Sequence, residues 1–88
     1  MTAERKQYGK YIVADPKICH GKLTFVGTRI FVRSVLEMVA QGMSWDKIIW
    51  QWHGSITREA IAEAVELAER ALFDHVDEYV QAADSARN

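Results

Sequence analysis

The stretch RSVLEMVAQGMSWDKIIWQW, residues 33–52, decides the fold, because two helical patterns meet there at a turn signal. Apolar residues recur at helical spacing before the turn, which predicts a first helix over residues 33–41. Gly42 is typical of the residue that ends a helix in the left-handed backbone conformation. Met43 is placed to contact Met38 across this cap, as in a Schellman motif. The segment therefore predicts two helices joined by a compact corner.

The second helix is predicted from Trp45 to about Trp52. Ser44 is a favourable N-cap, and Asp46 stands in the first turn, where the helix dipole favours a carboxylate. Four residues recur at helical spacing and should face the core: Trp45, Ile48, Ile49 and Trp52. Trp50 lies off this stripe, so we expect its indole to contact a partner or the β residues upstream.

A third helix is predicted from Arg58 to about Ala83, with Thr57 as its N-cap. Its apolar stripe consists of Ile61, Val65, Ala68, Leu72, Val76, Tyr79 and Ala83. Three further residues widen the first half of this stripe on one side: Ala64, Leu67 and Ala71. The predicted helix has about six turns, and a three-helix domain of this size needs only about three of them to cover its core. The second half of the stripe is therefore expected to contact another chain, although it could instead fold back or fray. The predicted partner-binding residues are Leu72, Phe73, Val76, Tyr79 and Val80.

Two apolar runs precede the helices, Leu23–Val26 and Ile30–Val32. Both are rich in β-branched and aromatic residues, which predicts a small β hairpin. Gly27 can adopt the positive φ that a tight reversal needs, and Thr28 can hydrogen-bond within the turn. A lone hairpin is marginal in water, so we expect it to pack on the helices or against a second copy.

These elements together predict a mainly α fold, a three-helix, homeodomain-like helix-turn-helix domain with an N-terminal β hairpin. The domain is predicted over residues 11–72. Residues 1–10 are polar and are expected to be flexible, and residues 73–88 are predicted to form a helical extension.

Composition limits the possible classes of protein. The chain has 88 residues, which is one small domain. No apolar run is long enough to cross a membrane, and the first residues lack the apolar segment of a signal peptide. Cys19 is the single cysteine, so no internal disulfide can form. We therefore expect a cytoplasmic protein with no membrane association.

Charge is distributed unevenly along the chain. Residues 1–56 contain eight Lys and Arg against four Asp and Glu, whereas residues 57–88 contain three against eight. The basic part predicts contact with an anionic ligand, and the acidic part predicts a different partner. A chance difference between two solvated faces is the simpler alternative.

A helix-turn-helix would read DNA with the start of its last helix. The candidate DNA-binding residues are Arg29, Arg33, Lys47, Ser55, Thr57 and Arg58. Glu59 and Glu63 make that helix unusually acidic for this role, so a helix-turn-helix used only for packing stays open. Arg29 also stays open, because it could face phosphate or brace its turn through carbonyl groups or Asp15.

The sequence gives little sign of catalysis. Its histidines are dispersed, and no metal-binding or phosphate-binding motif is present. Cys19 and His20 are adjacent, but nothing nearby supplies a base or an oxyanion hole, so a hydrolase is only a remote option. No catalytic residue, metal or cofactor is predicted.

Three short motifs occur in a specific order: HGK at 20–22, GTRI at 27–30 and GMS at 42–44. With Asp15-Pro16 before them, they resemble a bacterial and archaeal family catalogued as domain of unknown function 433. The resemblance extends over residues 15–68. Leu23 stands where the family usually has Pro, and Trp52-His53 replaces a usual Tyr-Pro.

The resemblance implies a homeodomain-like helix-turn-helix behind a small β element. It also implies a role, because family members are commonly regarded as antitoxins paired with a PIN-like nuclease toxin. Our leading expectation is an antitoxin-like, non-enzymatic homodimer that binds such a nuclease and possesses a helix-turn-helix for operator DNA. The alternative is a self-associating module that binds no nucleic acid.

Overall fold

The computed structural model of the protein describes residues 4–77. The fold is mixed α/β and roughly half helical, with three helices and a small three-stranded antiparallel sheet. The elements are β1 (Lys6–Tyr8), β2 (Ile12–Ala14), β3 (Leu23–Phe25), α1 (Val32–Ala40), α2 (Trp45–Gln51) and α3 (Arg58–Asp74).

The sheet differs from the predicted hairpin. β2 lies at its centre, so that Ile12 pairs with Tyr8 of β1 on one side and with Phe25 of β3 on the other. The chain after the turn forms only one isolated bridge to β3, between Phe31 and Thr24. Helix α1 begins at the next residue, which leaves no length for a second strand. The segment expected to be flexible, residues 1–10, contains β1.

The turn after β3 confirms the roles predicted for Gly27 and Thr28. Gly27 has a φ of 77°. The Thr28 amide and hydroxyl both donate to the carbonyl oxygen of Phe25, at 3.0 and 2.8 Å. The Thr28 hydroxyl in turn accepts from the Ile30 amide at 3.1 Å. The turn is therefore closed by its own side chain.

The corner between α1 and α2 is the predicted Schellman motif. Gly42 has a φ of 85°, in the left-handed region that a side chain disfavours. Its amide donates to the carbonyl oxygen of Val39 at 3.0 Å, and the Met43 amide donates to that of Met38 at 3.1 Å. These two bonds satisfy carbonyl groups that the end of α1 would otherwise leave free.

Side chains cap the later two helices as predicted. The Ser44 hydroxyl accepts from the Lys47 amide at 3.2 Å, and the Thr57 hydroxyl accepts from the Ala60 amide at 3.1 Å. Helix α3 ends at Asp74 with His75 as its C-cap, and residues 78–83 of the predicted length lie outside the described residues.

The core lies between the sheet and the three helices. Its buried residues are Ile12, Phe25, Val32, Val35, Ile48, Ile56, Ala60, Ile61 and Ala64. The predicted stripe of α2 is confirmed, since Ile48 is fully buried and Trp45, Ile49 and Trp52 pack against this cluster. The stripe of α3 is confirmed in part, because Ile61 and Ala64 are buried and Leu67 packs against the cluster, whereas Ala68 is exposed.

Glu63 of α3 holds the turn between β1 and β2. Its two carboxylate oxygens accept hydrogen bonds from the backbone amides of Lys10 and Tyr11, at 3.1 and 2.9 Å. This contact joins residues more than 50 positions apart. It fixes the outer hairpin of the sheet against the start of the third helix.

Candidate functional site

Helix α3 continues past the core. Its last side chain packed against the core cluster is Leu67, and every residue from 68 to 77 is exposed. The helical part of this segment, residues 68–74, is about 10 Å long at the usual rise of an α-helix. We call residues 68–77 the α3 end.

Three of the predicted partner-binding residues lie on the α3 end. Leu72, Phe73 and Val76 are 46%, 66% and 42% exposed. Tyr79 and Val80 lie outside the described residues. Contiguous exposed apolar side chains on a small protein are typical of a surface that binds another protein.

The α3 end is also acidic. Glu69, Asp74 and Asp77 lie among its apolar side chains, against one basic residue, Arg70. An apolar strip with acidic neighbours is suited to a partner surface that has an apolar floor and basic edges.

The main candidate for a DNA contact, Arg58, is engaged within the chain. Its guanidinium forms an ion pair with Asp46, at the start of α2, and lies 5.8 Å from the ring centroid of Trp45. Both contacts tie the start of α3 to the start of α2. The Arg58 side chain is still about half exposed, but a phosphate would have to compete with Asp46 for it.

The other candidates lie at several places on the surface. Arg33 is 87% exposed and pairs with Glu37 one turn along α1, at 3.0 Å. Lys47 and Ser55 are exposed on α2 and in the following turn, and Thr57 is exposed as the N-cap of α3. Arg29 is exposed in the turn after β3.

The structure gives no support for Arg29 as a brace that binds Asp15. The Asp15 carboxylate instead accepts from the Lys17 amide at 2.9 Å and lies 4.0 Å from the Arg5 guanidinium. Within residues 4–77, no ion pair of the Arg29 side chain is present.

An open groove between β3 and α1 is a feature that the sequence did not reveal. It has a volume of about 810 Å³ and is lined by Gly21, Lys22, Leu23, Phe31, Val32, Arg33, Leu36, Glu37 and Ala40. Leu36 packs against the core cluster and also lines this groove. Only the register of the sheet shows that Leu23 and Phe31, both more than a third exposed, flank the same groove.

The segment that contains Cys19 and His20 is a short left-handed turn. Both residues have positive φ, and the amides of Gly21 and Lys22 close the turn onto Ile18 and Cys19. Across residues 4–77, no group of three or more His, Cys, Asp or Glu side chains is placed to hold a metal ion.

Trp50 is the most exposed large apolar residue of those described, at 74%. The expectation that its indole packs on the β residues is therefore wrong, and contact with a partner stays a prediction.

Within residues 4–77, no helix has the length and apolarity to cross a membrane.

Comparison with family models gives a match over residues 12–68, to a family described as protein of unknown function, DUF433. The chain belongs to the DUF433 family. No curated protein and no solved structure matches it significantly.

The DUF433 match covers the packed part of the molecule. It begins at the first residue of β2 and ends one residue after Leu67, the last side chain of α3 that packs on the core. Strand β1 and nearly all of the α3 end lie outside it. Within the matched range, the GTRI and GMS motifs of this chain provide the turn after β3 and the corner between α1 and α2.

Proposed function

We propose that this DUF433 protein is an antitoxin-like binding protein, without enzymatic activity, that attaches to a PIN-like nuclease through the α3 end. The observation that carries the proposal is the exposure of Leu72 and Phe73 on a helix that continues beyond its own core, and of Val76 just past its end. Burial of these side chains against a partner would recover the hydrophobic free energy that the isolated chain forgoes.

Charge supports a nuclease as the partner. An enzyme that cleaves RNA needs a basic surface to hold the phosphate backbone. Asp74 and Asp77 would pair with that surface while the apolar side chains fill a groove beside it. The bound helix would then exclude RNA from the nuclease by occupying the same place.

A second candidate function is binding of operator DNA through a homeodomain-like helix-turn-helix formed by α2 and α3. The exposure of Lys47, Ser55 and Thr57 around the start of α3 favours it. The ion pair of Arg58 with Asp46 weakens it. A homodimer would present two such units to two half-sites. The proposed compartment for both functions is the cytoplasm.

Co-purification tests the nuclease proposal. The chain is co-expressed with the protein encoded by the adjacent gene and purified through a tag on that protein. Replacement of Leu72 and Phe73 by Ala should raise the dissociation constant about 100-fold, since burial of each such side chain is worth roughly 1.5–3 kcal/mol. Val26→Ala, which shortens an exposed apolar side chain just after β3, is the matched control and should leave binding intact.

DNA binding is tested separately, by titrating the upstream DNA at several salt concentrations. Contact with phosphates requires that affinity fall steeply as salt rises. Lys47→Ala should weaken DNA binding. Asp46→Asn should strengthen it, because the Arg58 guanidinium would lose its ion-pair partner and could then bind a phosphate. Binding that is absent or independent of salt would leave only the protein-binding role.

A further inference from the structure

The groove between β3 and α1 has the chemistry of a site for an amphipathic helix. Leu23, Phe31 and Leu36 give it an apolar lining. Three charged groups lie at its edge. The Lys22 ammonium is 6.0 Å from the ring centroid of Phe31, and the largely exposed Arg33 pairs with Glu37 at 3.0 Å, so the edge carries one net positive charge. A matching segment would need neighbouring apolar side chains with carboxylates beside them.

The α3 end of the same chain fits that description. Leu72 and Phe73 lie in the last turn of α3, Val76 follows directly after its C-cap residue, and Asp74 and Asp77 supply the carboxylates. No residue of α3 lines the groove of its own chain. Because Ile61 and Ala64 fix α3 in the core and the helix is continuous to Asp74, its end cannot turn back into that groove while the helix is intact.

We propose that the α3 end of each copy docks in the groove of a second copy, so that two chains form a reciprocal homodimer. Each chain then contributes one helix and one groove, and a two-fold axis closes the assembly. The carboxylates of Asp74 and Asp77 lie toward Lys22 and Arg33 of the other chain. This interface shares the exposed α3 end with the nuclease proposal, whereas the groove is an observation of its own.

The dimer has a consequence for the proposed function. Both interactions use Phe73 and its neighbours, so self-association and nuclease binding compete for the α3 end. The free protein keeps its apolar helix covered, and the nuclease displaces the second copy when it binds.

Sedimentation equilibrium of the full chain tests the interface. The double variant Lys22→Glu, Arg33→Glu should raise the dimer dissociation constant at least about tenfold, because two attractive charge contacts become repulsive on each side. Both positions are well exposed, and circular dichroism verifies the fold. The matched control is Lys6→Glu, Lys17→Glu, which makes the same change in net charge at exposed positions away from the groove and should leave the dimer intact.

A charge swap gives the decisive comparison. Adding Asp74→Lys and Asp77→Lys to the groove double variant should restore the dimer, since the attractive pairs are re-formed with opposite signs. A monomeric wild-type chain, equal weakening by the control, or no recovery in the swapped chain would each overturn the proposed interface.

The same variants separate this inference from the nuclease proposal. The groove double variant keeps the α3 end unchanged. It should therefore bind the nuclease at least as tightly as the wild type, because no second copy competes. If the dimer behaves as expected and no chain binds the nuclease, the proposed function fails and the homodimer interface stands.

Discussion

The contact between Glu63 and the β1–β2 turn gives the sharpest prediction about stability. Replacement of Glu63 by Ala removes an acceptor from the amides of Lys10 and Tyr11 and leaves the outer hairpin without its tie to α3. The hairpin should loosen, and the free energy of unfolding should fall.

The magnitude follows from the two bonds. A hydrogen bond to a charged group contributes about 1.5–3 kcal/mol. The Lys10 amide is exposed and water can replace its partner, whereas Tyr11 is half-buried and its amide loses more. We expect a total loss of about 2 kcal/mol, which in a domain of this size lowers Tm by roughly 8–16 °C.

Thermal and urea unfolding of the two proteins measures this loss. Glu66→Ala, an exposed acidic residue one turn further along α3, is the matched control and should change Tm little. Amide hydrogen exchange should also quicken at Lys10 and Tyr11 in the Glu63 variant. Equal stability of the Glu63 and Glu66 variants would refute a stabilising role for the hydrogen bonds between Glu63 and the β1–β2 turn.

Gly9 provides a second test of the same contact. It has a φ of 78°, and a Cβ atom there would lie 2.5 Å from a carboxylate oxygen of Glu63. Gly9→Ala should therefore destabilise the wild type, and it should cost less in the Glu63→Ala background because the clash is gone. Strictly additive losses would contradict the close approach.

Three further substitutions test individual features of the fold by urea unfolding. Thr24→Val should stabilise the domain by about 1 kcal/mol, because the fully buried Thr24 hydroxyl has no hydrogen-bond partner among residues 4–77; a loss of stability would refute this. Gly42→Ala should destabilise it by about 1 kcal/mol through backbone strain alone, since a Cβ there would meet open space; an unchanged midpoint would contradict the left-handed cap. Thr57→Ala should cost about 1 kcal/mol and Thr57→Ser much less, and equal costs would argue against capping by the hydroxyl.

Local signals in the sequence predicted the helical corner well. The Schellman bonds at Gly42 and the caps at Ser44 and Thr57 each depend on residues within a few positions of one another. The same is true of the turn closed by Thr28. Such features need only backbone geometry and one side chain, so the residue type is sufficient to predict them.

Features that depend on distant residues were missed. Strand β1 is exposed and polar, and it exists because β2 and Glu63 hold it, which no pattern within residues 6–8 indicates. The partner of β3 is likewise set by the early start of α1. Pairing of strands across a sheet is a tertiary choice that overrides local propensity.

In the candidate site, too, the features set by local sequence were predicted and those set by tertiary packing were not. An apolar stripe longer than the core predicted that Leu72, Phe73 and Val76 would be exposed, and they are. Arg58 was selected for DNA by its place at the start of a helix. Its pairing with Asp46, twelve residues earlier on a different helix, follows only from how α2 and α3 pack.

The central claim is that the α3 end blocks the nuclease. Cleavage of an RNA substrate by the nuclease, titrated with the full chain and with a chain that ends after Arg70, tests it most directly. The shortened chain keeps every residue of the core cluster and should fold. The account predicts that the full chain abolishes cleavage and the shortened chain does not. Equal inhibition by both chains would contradict it.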